Sequence, residues 1–276
     1  MTKKRYSKKS GRKYSQVFLQ DGSILSKIAD AVSCTSEDTV IEIGPGRGAL
    51  TKYLINKAKQ VICVEIDEEL IEFLKTKFPH YDNLHIIHAD ILSLDINSLL
   101  GKAGNNNIWL VGNLPYDIGT AIINKFTPYR MNFTAMIFML QREVVQRILS
   151  KPGNKEYGYL SVYIDYFYNC RKIMDVSPRS FKPVPAVHSS VIQMTGKKTG
   201  NSLEFDVGLD DLLKASFKHK RKTLINNLMA FDKIDINKQN LKKILEKNNI
   251  APKQRAEELH TEQFISLSEE LNRIKE

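Results

Sequence analysis

The fold is decided by the stretch TVIEIGPGRG at residues 39–48. Its first half is an apolar run with β-branched residues, which is typical of a buried strand. Its second half carries three glycines in five residues, and glycines let the backbone turn sharply and come close to a ligand. We therefore predict a strand over 39–43, a ligand-binding turn, and a helix that continues through about Lys57.

Strand and helix patterns alternate in the residues that follow. Further strands are predicted at 60–66, 84–88, 108–111 and 133–140, and helices at 67–78, at 118–126 and up to Leu149. This order predicts an α/β fold with a parallel, Rossmann-like sheet that helices cover on both faces. Ligands bind such sheets at the carboxyl ends of the strands.

The sequence changes character after this alternation. The proline-rich segment 178–185 predicts an irregular loop, 187–194 a strand, and 196–202 a linker. Beyond the linker, apolar residues recur at helical spacing among many charges. We predict three parts: a basic flexible arm at 1–13, the α/β domain at 14–200 and a small α-helical domain at 201–276.

The charge balance indicates a polyanionic partner. The 276 residues include 41 Lys and Arg against 31 Asp and Glu, which gives a net charge of +10. Nucleic acid is the simplest partner for such a surplus. The segment 1–13 carries seven basic residues and no acidic one, so we expect it to be disordered when free and to contact RNA phosphates. A solvated tail is the alternative.

Cysteine usage and hydropathy indicate an intracellular protein. The three cysteines, Cys34, Cys63 and Cys170, are widely separated and form no C-x-x-C pair. We expect reduced thiols, no metal site and a cytoplasmic location, with Cys63 as a small core residue. The chain has no apolar stretch of membrane-spanning length and no apolar signal core, so we expect no membrane association.

Acidic residues end the second and third predicted strands. Glu65 lies 21 residues after Gly44, and an acidic residue in that place commonly binds the two hydroxyls of a ribose. Asp90 can accept from the amino group of an adenine, although capping a helix is the alternative. The glycine spacing is G-x-G-x-G, whereas the competing dinucleotide fingerprint is G-x-G-x-x-G. These residues together predict a site for an adenosine cofactor.

The fourth predicted strand leads into Asn113-Leu114-Pro115-Tyr116. The Asn113 side-chain oxygen and the Leu114 carbonyl can accept the two hydrogens of an amino group on a flat base. The Tyr116 ring can stack on that base. The alternative is an ordinary turn after a strand.

The glycine loop and this tetrapeptide together resemble S-adenosylmethionine-dependent methyltransferases that act on amino nitrogen. The resemblance extends to the ribosomal RNA adenine dimethyltransferase family, because SQVFL at 15–19 is similar to its Q-N-F-L motif and FKPVPAVHS at 181–189 to its F-x-P-x-P-x-V-x-S loop. Val17 replaces the usual asparagine, so a side-chain bond from that position to the cofactor is lost. Asp117-Ile118-Gly119 replaces the more usual N-x-S.

This resemblance implies S-adenosylmethionine as the cofactor and roles for two sets of residues. The implied catalytic residues are Asn113, Leu114, Tyr116 and Phe181, with Tyr116 and Phe181 stacking on opposite faces of an extruded adenine. Packing under the proline-rich loop is the alternative for Phe181. The implied cofactor-binding residues are Gln16, Val17, Leu19, Gly44, Gly46, Glu65, Ile66, Asp90, Ile91 and Asn113.

The C-terminal part discriminates between two branches of the family. One dimethylates two adjacent adenines in the 3′-terminal hairpin of small-subunit (16S) rRNA, and the other modifies large-subunit (23S) rRNA and confers macrolide resistance. The segments SFKHKRKTL at 216–224 and RAEEL at 255–259 resemble elements of the small-subunit branch. We therefore expect small-subunit rRNA and the immature small subunit as partners, and a monomeric enzyme. A non-catalytic factor of ribosome assembly or transcription stays an alternative.

Four basic residues are the candidates for RNA contact in this part of the chain: Lys218, Lys220, Arg221 and Lys222. Their spacing is equally compatible with a solvated helix face.

Overall fold

The computed structural model describes residues 17–104, 107–231 and 236–273. Its strands, in chain order, are β1 Phe18–Leu19, β2 Thr39–Ile43, β3 Gln60–Glu65, β4 Leu84–His88, β5 Ile108–Asn113, β6 Phe133–Gln141, β7 Tyr168–Val176, β8 Phe181–Lys182 and β9 Ser189–Gly196. Its α-helices are α1 Gly22–Ala31, α2 Thr51–Leu54, α3 Glu68–Lys77, α4 Ile96–Ala103, α5 Gly119–Phe126, α6 Arg142–Ile148, α7 Tyr159–Phe167, α8 Leu203–Ser216, α9 Leu224–Leu228, α10 Lys238–Lys247 and α11 Thr261–Arg273.

Seven strands form one sheet in the order β4-β3-β2-β5-β6-β9-β7. The pairs β4–β3, β3–β2, β2–β5 and β5–β6 are all parallel. The interior strand β2 is buried along its whole length, as an apolar run between two layers of helices requires. The predicted α/β fold is therefore confirmed, and its sheet is parallel over β4, β3, β2, β5 and β6.

The strand register brings the ends of neighbouring strands together. Ile43 at the end of β2 lies opposite Val64 of β3 and Gly112 of β5. Because the strands are parallel, the residues that follow these partners emerge at one edge of the sheet. That edge carries the glycine loop, Glu65 and Asn113.

A second, two-stranded sheet adds a non-local element to this edge. β1 and β8 pair antiparallel, with Leu19 opposite Phe181 and Phe18 opposite Lys182. Asp21 then begins α1, since its side chain accepts hydrogen bonds from the backbone N–H groups of Ser23 and Ile24. The pairing fixes residues 18 and 19 beside a segment that lies far along the chain.

Some predicted elements differ from the observed ones. The helix predicted up to Lys57 is only one turn, α2, because glycine turns occupy residues 44–50. The structure adds α4, which was not predicted and which Asp95 caps through the N–H groups of Asn97 and Ser98. It also adds α7, and it shifts the predicted strand at 187–194 two residues along the chain, as β9.

The chain divides into two compact units. The first takes in the described residues up to Arg142 together with Ile173–Ile192, and the second takes in Glu143–Lys172 together with the described residues from Gln193 onward. The second unit thus includes segments on the N-terminal side of the predicted boundary at residue 200. Whether 201–276 forms a domain of its own stays a prediction.

The second unit is built around α7. The Tyr159 hydroxyl donates a hydrogen bond to Asp210 Oδ1 and the Tyr166 hydroxyl donates one to Asp206 Oδ1, each 2.7 Å long. Both acceptors lie on α8, and α11 packs on α7 and α8. Residues of α7 therefore depend on helices that come much later in the sequence. Within the described ranges, no helix has both the length and the apolar character that a membrane span requires.

Candidate active site

The glycine loop after β2 adopts a backbone conformation that other residues rarely reach. Gly44, Gly46 and Gly48 have φ angles of 64°, 56° and 68°, in the left-handed region that favours glycine. A Cβ at Gly46 would lie 2.9 Å from the Phe18 ring, and one at Gly48 would lie 2.5 Å from the Phe78 ring. A Cβ at Gly44 would meet nothing within 4 Å. Neighbouring side chains therefore fill the space beside Gly46 and Gly48, whereas the space beside Gly44 is open.

Glu65, at the end of β3, is fixed against this loop. Its Oε2 accepts from the Gly46 N–H at 3.2 Å, and its Oε1 accepts from the N–H groups of Ile66 and Asp67 at 2.9 and 3.1 Å. Burial raises the pKa of Glu65, and the three N–H donors oppose that shift. Both lone pairs of Oε1 are therefore engaged, whereas Oε2 accepts one bond and keeps capacity for a further donor. This anchored carboxylate, beside an open glycine, suits the hydroxyls of a ribose.

The end of β4 supplies Asp90 and Ile91. Asp90 Oδ1 accepts from the Leu92 N–H at 2.8 Å, and the Asp90 carbonyl accepts from Ser93 and Leu94. Asp90 therefore caps the turn that follows β4, as in the alternative interpretation, but the cap uses only one carboxylate oxygen. Oδ2 has no hydrogen-bond partner among the described residues and stays open to an amino group. Ile91 is buried.

Ile66 follows Glu65 and is unusually exposed for an isoleucine, at 39%. Its neighbour Glu65 pairs with His88 of β4, so Ile66 emerges at the same edge as the end of β4. An exposed apolar side chain beside polar strand ends suits the face of a purine ring.

Asn113 ends β5 and is held by the N-terminal segment. Its side-chain Nδ2 donates to the Val17 carbonyl oxygen at 3.2 Å. This bond assigns the orientation of the amide, because it leaves Oδ1 as the free acceptor. Within residues 17–104, 107–231 and 236–273, no donor reaches Asn113 Oδ1 or the Leu114 carbonyl. The structure thus presents the two acceptors that the sequence predicts.

Tyr116 is anchored through its hydroxyl. The Tyr116 hydroxyl and Ser189 Oγ share a hydrogen bond of 2.7 Å, and Ser189 is fully buried in β9. The Leu114 N–H donates to the Met139 carbonyl at 3.1 Å, which ties the tetrapeptide to β6. The ring and the acceptors therefore have a fixed geometry.

Phe181 occupies a different environment from Tyr116. Its side chain is only 3% exposed and belongs to the hydrophobic cluster that contains Leu19, Val176 and Val191. The ring presents no open face in this structure, so the packing interpretation describes its present state. Val17 is half-buried against the same cluster. Gln16 and the basic arm at 1–13 lie outside the described residues.

Glu42 is a buried titratable residue that the sequence reasoning missed. It is 3% exposed, and its Oε2 accepts from Thr51 Oγ1 at 2.7 Å and from Cys63 Sγ at 3.6 Å. Burial raises the pKa of Glu42 to about 7, against the lowering effect of these two bonds. The available signal was an acidic residue inside an otherwise apolar strand. Cys63 is buried, and all three cysteines are free.

The basic residues of the second unit lie in a loop, not on a helix. Residues 217–223 connect α8 to α9, and Lys218, Arg221 and Lys222 are exposed there. Lys220 donates to the Lys155 carbonyl at 2.9 Å. The buried Asn227 side chain donates to the carbonyls of Ser216 and His219 at 2.7 and 3.1 Å. The loop thus has an internal anchor and is not the solvated helix face of the alternative.

The sheet order, the glycine loop and the polar strand ends define a Rossmann-like methyltransferase. Solved structures support this class. The chain is similar to a dimethyladenosine transferase from Plasmodium falciparum, with 28% identity and a TM-score of 0.78 over 92% of this chain and 97% of that one. It shares its fold with the 23S rRNA methyltransferase ErmE, with 22% identity and a TM-score of 0.69 over 92% and 99% of the two chains.

Sequence comparison gives the family. The family described as "Ribosomal RNA adenine dimethylase" matches residues 7–273, and the chain belongs to it. Among its relatives are proteins named ribosomal RNA small subunit methyltransferase A. The one from Clostridium botulinum is 38% identical over 96% of this chain and 95% of its own length. The one from Geobacillus is 38% identical over 94% and 90%.

Proposed function

We propose that this protein dimethylates N6 of two adjacent adenines in the 3′-terminal hairpin of 16S rRNA, with S-adenosylmethionine as the methyl donor. The observation that carries the proposal is the pair of open acceptors at the end of β5, the Asn113 amide oxygen and the Leu114 carbonyl. The relatives named for the small subunit give the choice of rRNA.

The residues at the strand ends fit the cofactor of this family. Glu65 would accept from the ribose hydroxyls, Asp90 Oδ2 from the adenine amino group, and the open side of Gly44 would lie against the nucleoside. Ile66 and Ile91 offer apolar contacts for the ring, and the backbone at Val17 and Leu19 borders the same edge. When bound, S-adenosylmethionine supplies a methyl group that its sulfonium already activates.

The protein's chemical contribution is alignment. The lone pair of an adenine amino group is delocalised into the ring, which makes the nitrogen a poor nucleophile. Hydrogen bonds from the amino hydrogens to Asn113 Oδ1 and the Leu114 carbonyl would reduce this delocalisation and direct the lone pair at the methyl group. Fixed geometry of this kind contributes about 7–11 kcal/mol in favourable intramolecular systems. The nitrogen reacts as a neutral amine, so no general base has to remove a proton before the transfer, and the N6 proton is lost to water after the N–C bond has formed.

Tyr116 is the stacking residue for the extruded base. Its hydroxyl bond to Ser189 fixes the ring before the base arrives, so little side-chain entropy is lost on binding. A base–aromatic stack contributes about 1–3 kcal/mol. Phe181 is proposed as the opposite wall, and its burial means that the base must displace part of the covering loop to reach it.

The second unit is proposed to recognise the RNA outside the target bases. An extruded adenine carries little sequence information, so identity must come from shape and backbone contacts. The exposed loop with Lys218, Arg221 and Lys222 suits phosphates. Lys220, whose ammonium is bound to a carbonyl, would fix the loop. We further propose that the enzyme is a cytoplasmic monomer that prefers the immature small subunit.

A methyl-transfer assay tests the proposal. The full chain is incubated with labelled S-adenosylmethionine and with immature small subunits or large subunits, and both rRNAs are digested and analysed by mass spectrometry. We expect N6,N6-dimethyladenosine in the 16S fragment from the 3′-terminal hairpin. Methyl groups found only in 23S rRNA would assign the protein to the resistance branch, and no transfer to either rRNA would support the non-catalytic alternative.

A further inference from the structure

Aromatic rings and cations alternate on the surface beside the glycine loop. The Arg47 guanidinium carbon lies 5.5 Å from the Phe18 ring centroid and 5.9 Å from the Phe73 ring centroid. Lys77 Nζ lies 5.7 Å from the Phe73 centroid and donates to the Arg47 carbonyl at 2.7 Å. Lys52 adjoins them, since its backbone N–H donates to the Gly48 carbonyl of the glycine loop at 3.4 Å. We name Phe18, Arg47, Lys52, Phe73 and Lys77 the aromatic–cation patch.

The cations of this patch form no ion pair with any described residue. Among the residues that the structure describes, no ion pair involves Arg47, Lys52 or Lys77, whereas Lys75 on the same helix pairs with Glu72 at 2.8 Å. Partial burial, and to a smaller extent the charge of Lys52, lower the pKa of Lys77. A bound anion would relieve the repulsion between these two charges.

The aromatic part of the patch is open to a ligand. Phe73 is 43% exposed, which is high for a phenylalanine on a helix whose other apolar residues, Leu70, Ile71 and Leu74, are buried. The ring is therefore not required by the core. Unpaired cations around an exposed ring are the combination that binds single-stranded nucleic acid, with stacking for a base and charge for the backbone.

The patch is continuous with the proposed active site. Phe18 directly follows Val17, whose carbonyl accepts from Asn113, and its ring lies under Arg47 of the glycine loop. An RNA strand whose target adenine lay at Asn113 would contact the patch through its neighbouring nucleotides. Both features belong to the first compact unit.

We propose that the aromatic–cation patch binds a single-stranded segment of the substrate RNA that flanks the target adenines. An unpaired base stacks on Phe73, and Arg47, Lys52 and Lys77 contact the phosphates on either side. Duplex RNA does not fit, because its bases are not available for stacking on a protein ring. This inference rests on the proposed function, since it takes the RNA as the substrate of the adjacent site.

The test compares two RNA probes by fluorescence anisotropy: an unmethylated hairpin with adjacent loop adenines, and the same hairpin with single-stranded flanks. We expect Phe73→Ala to weaken binding of the flanked probe about tenfold, the effect of one lost stack, and to leave the bare hairpin unchanged. Phe73→Trp keeps an aromatic ring and should bind the flanked probe as the wild type does. Lys52→Gln should lower the slope of log affinity against log salt by about 0.7, the value for one phosphate contact on a single strand.

Two variants serve as matched controls. Lys75→Gln makes the same charge change on α3 but at a residue that is paired with Glu72, and Met131→Ala removes another exposed apolar side chain of the first unit. Neither should change the preference for the flanked probe. Thermal melting of each variant checks that the fold is kept.

The outcomes separate this inference from the proposed function. Unchanged binding by Phe73→Ala and an unchanged salt slope for Lys52→Gln would overturn the patch proposal, even if the wild-type protein methylates 16S rRNA. Weak binding of the flanked probe by Phe73→Trp would also overturn it, because that variant keeps an aromatic ring on which a base can stack. If Phe73→Ala weakens binding of the flanked probe but the wild-type protein methylates no rRNA, the patch proposal stands and the proposed function is wrong.

Discussion

The Asn113 side-chain amide donates a 3.2 Å hydrogen bond to the backbone carbonyl of Val17, 96 residues earlier in the chain. Val17 stands where the family motif has an asparagine. Because the bond uses the backbone, the exchange of that side chain leaves the orientation of Asn113 intact. The departure from the motif therefore leaves this contact to the Asn113 amide in place.

Asn113→Ala should reduce methyl transfer far more than RNA binding. The variant loses the acceptor that orients the reacting nitrogen, and removal of one preorganised group of this kind costs about 100-fold in rate. Single-turnover transfer and RNA affinity are measured on the same preparation. Asn124→Ala, which removes an exposed amide side chain on α5, is the control, and we expect it to keep the wild-type rate to within a small factor. Equal losses in transfer and affinity would make Asn113 structural.

Glu65→Ala should weaken binding of S-adenosylmethionine. Two ribose hydroxyls lose a charged acceptor, which corresponds to about 1.5–3 kcal/mol. Calorimetric titration with the cofactor measures the effect, with Glu68→Ala at the exposed start of α3 as the matched control. A folded Glu65 variant with wild-type affinity would exclude this residue from the cofactor site.

Phe181 requires a substitution that separates packing from stacking. Because the side chain is buried, Phe181→Ala would remove about 3–5 kcal/mol of stability through the cavity it leaves. Phe181→Leu keeps most of the apolar volume and removes the ring. We expect this variant to melt near the wild type but to methylate more slowly. A wild-type transfer rate in Phe181→Leu would show that the residue only supports the loop.

Glu42 should make the stability of the free protein depend on pH. Its pKa of about 7 in the folded state exceeds the ordinary value of 4.5, so the folded protein binds a proton that the unfolded chain releases between these pH values. The free energy of unfolding due to this group therefore falls as the pH rises through that window, by about 3 kcal/mol in total.

Glu42→Gln keeps an acceptor for the Thr51 hydroxyl and removes the titration. Denaturant unfolding at a series of pH values should show that the free energy of unfolding of the variant rises relative to that of the wild type as the pH rises. This difference should stop changing above about pH 7. A difference that stays constant from acid to neutral pH would show that Glu42 is not protonated in the folded protein.

Exchange of Lys218, Arg221 and Lys222 for glutamine should reduce the preference for immature small subunits over bare hairpin RNA. The three charges lie in an exposed loop, so the fold and the cofactor affinity should be kept. Competition between the two substrates measures the preference. Deletion of 203–276 is a poorer test, because it removes α8 and α11, on which α7 packs. An unchanged preference would place substrate selection elsewhere.

The local features of the site were predictable from the sequence. The strands β2, β3 and β5 follow from apolar runs, and the left-handed turn follows from three glycines in five residues. Since parallel strands end at one edge, Glu65, Asp90 and Asn113 could be placed together without a structure. The helix after the glycine loop was overestimated, because the pattern does not show how far the turns extend.

The sequence by itself therefore determined the sheet, the loop and the acceptors at the strand ends, since each depends on residues that are close in the chain. Only the tertiary structure decided the pairing of β1 with β8, the bond from Asn113 to Val17 and the burial of Phe181 and Glu42. It also placed α7 with the C-terminal helices. These features join residues far apart in sequence, and their existence depends on packing and register that no local pattern encodes.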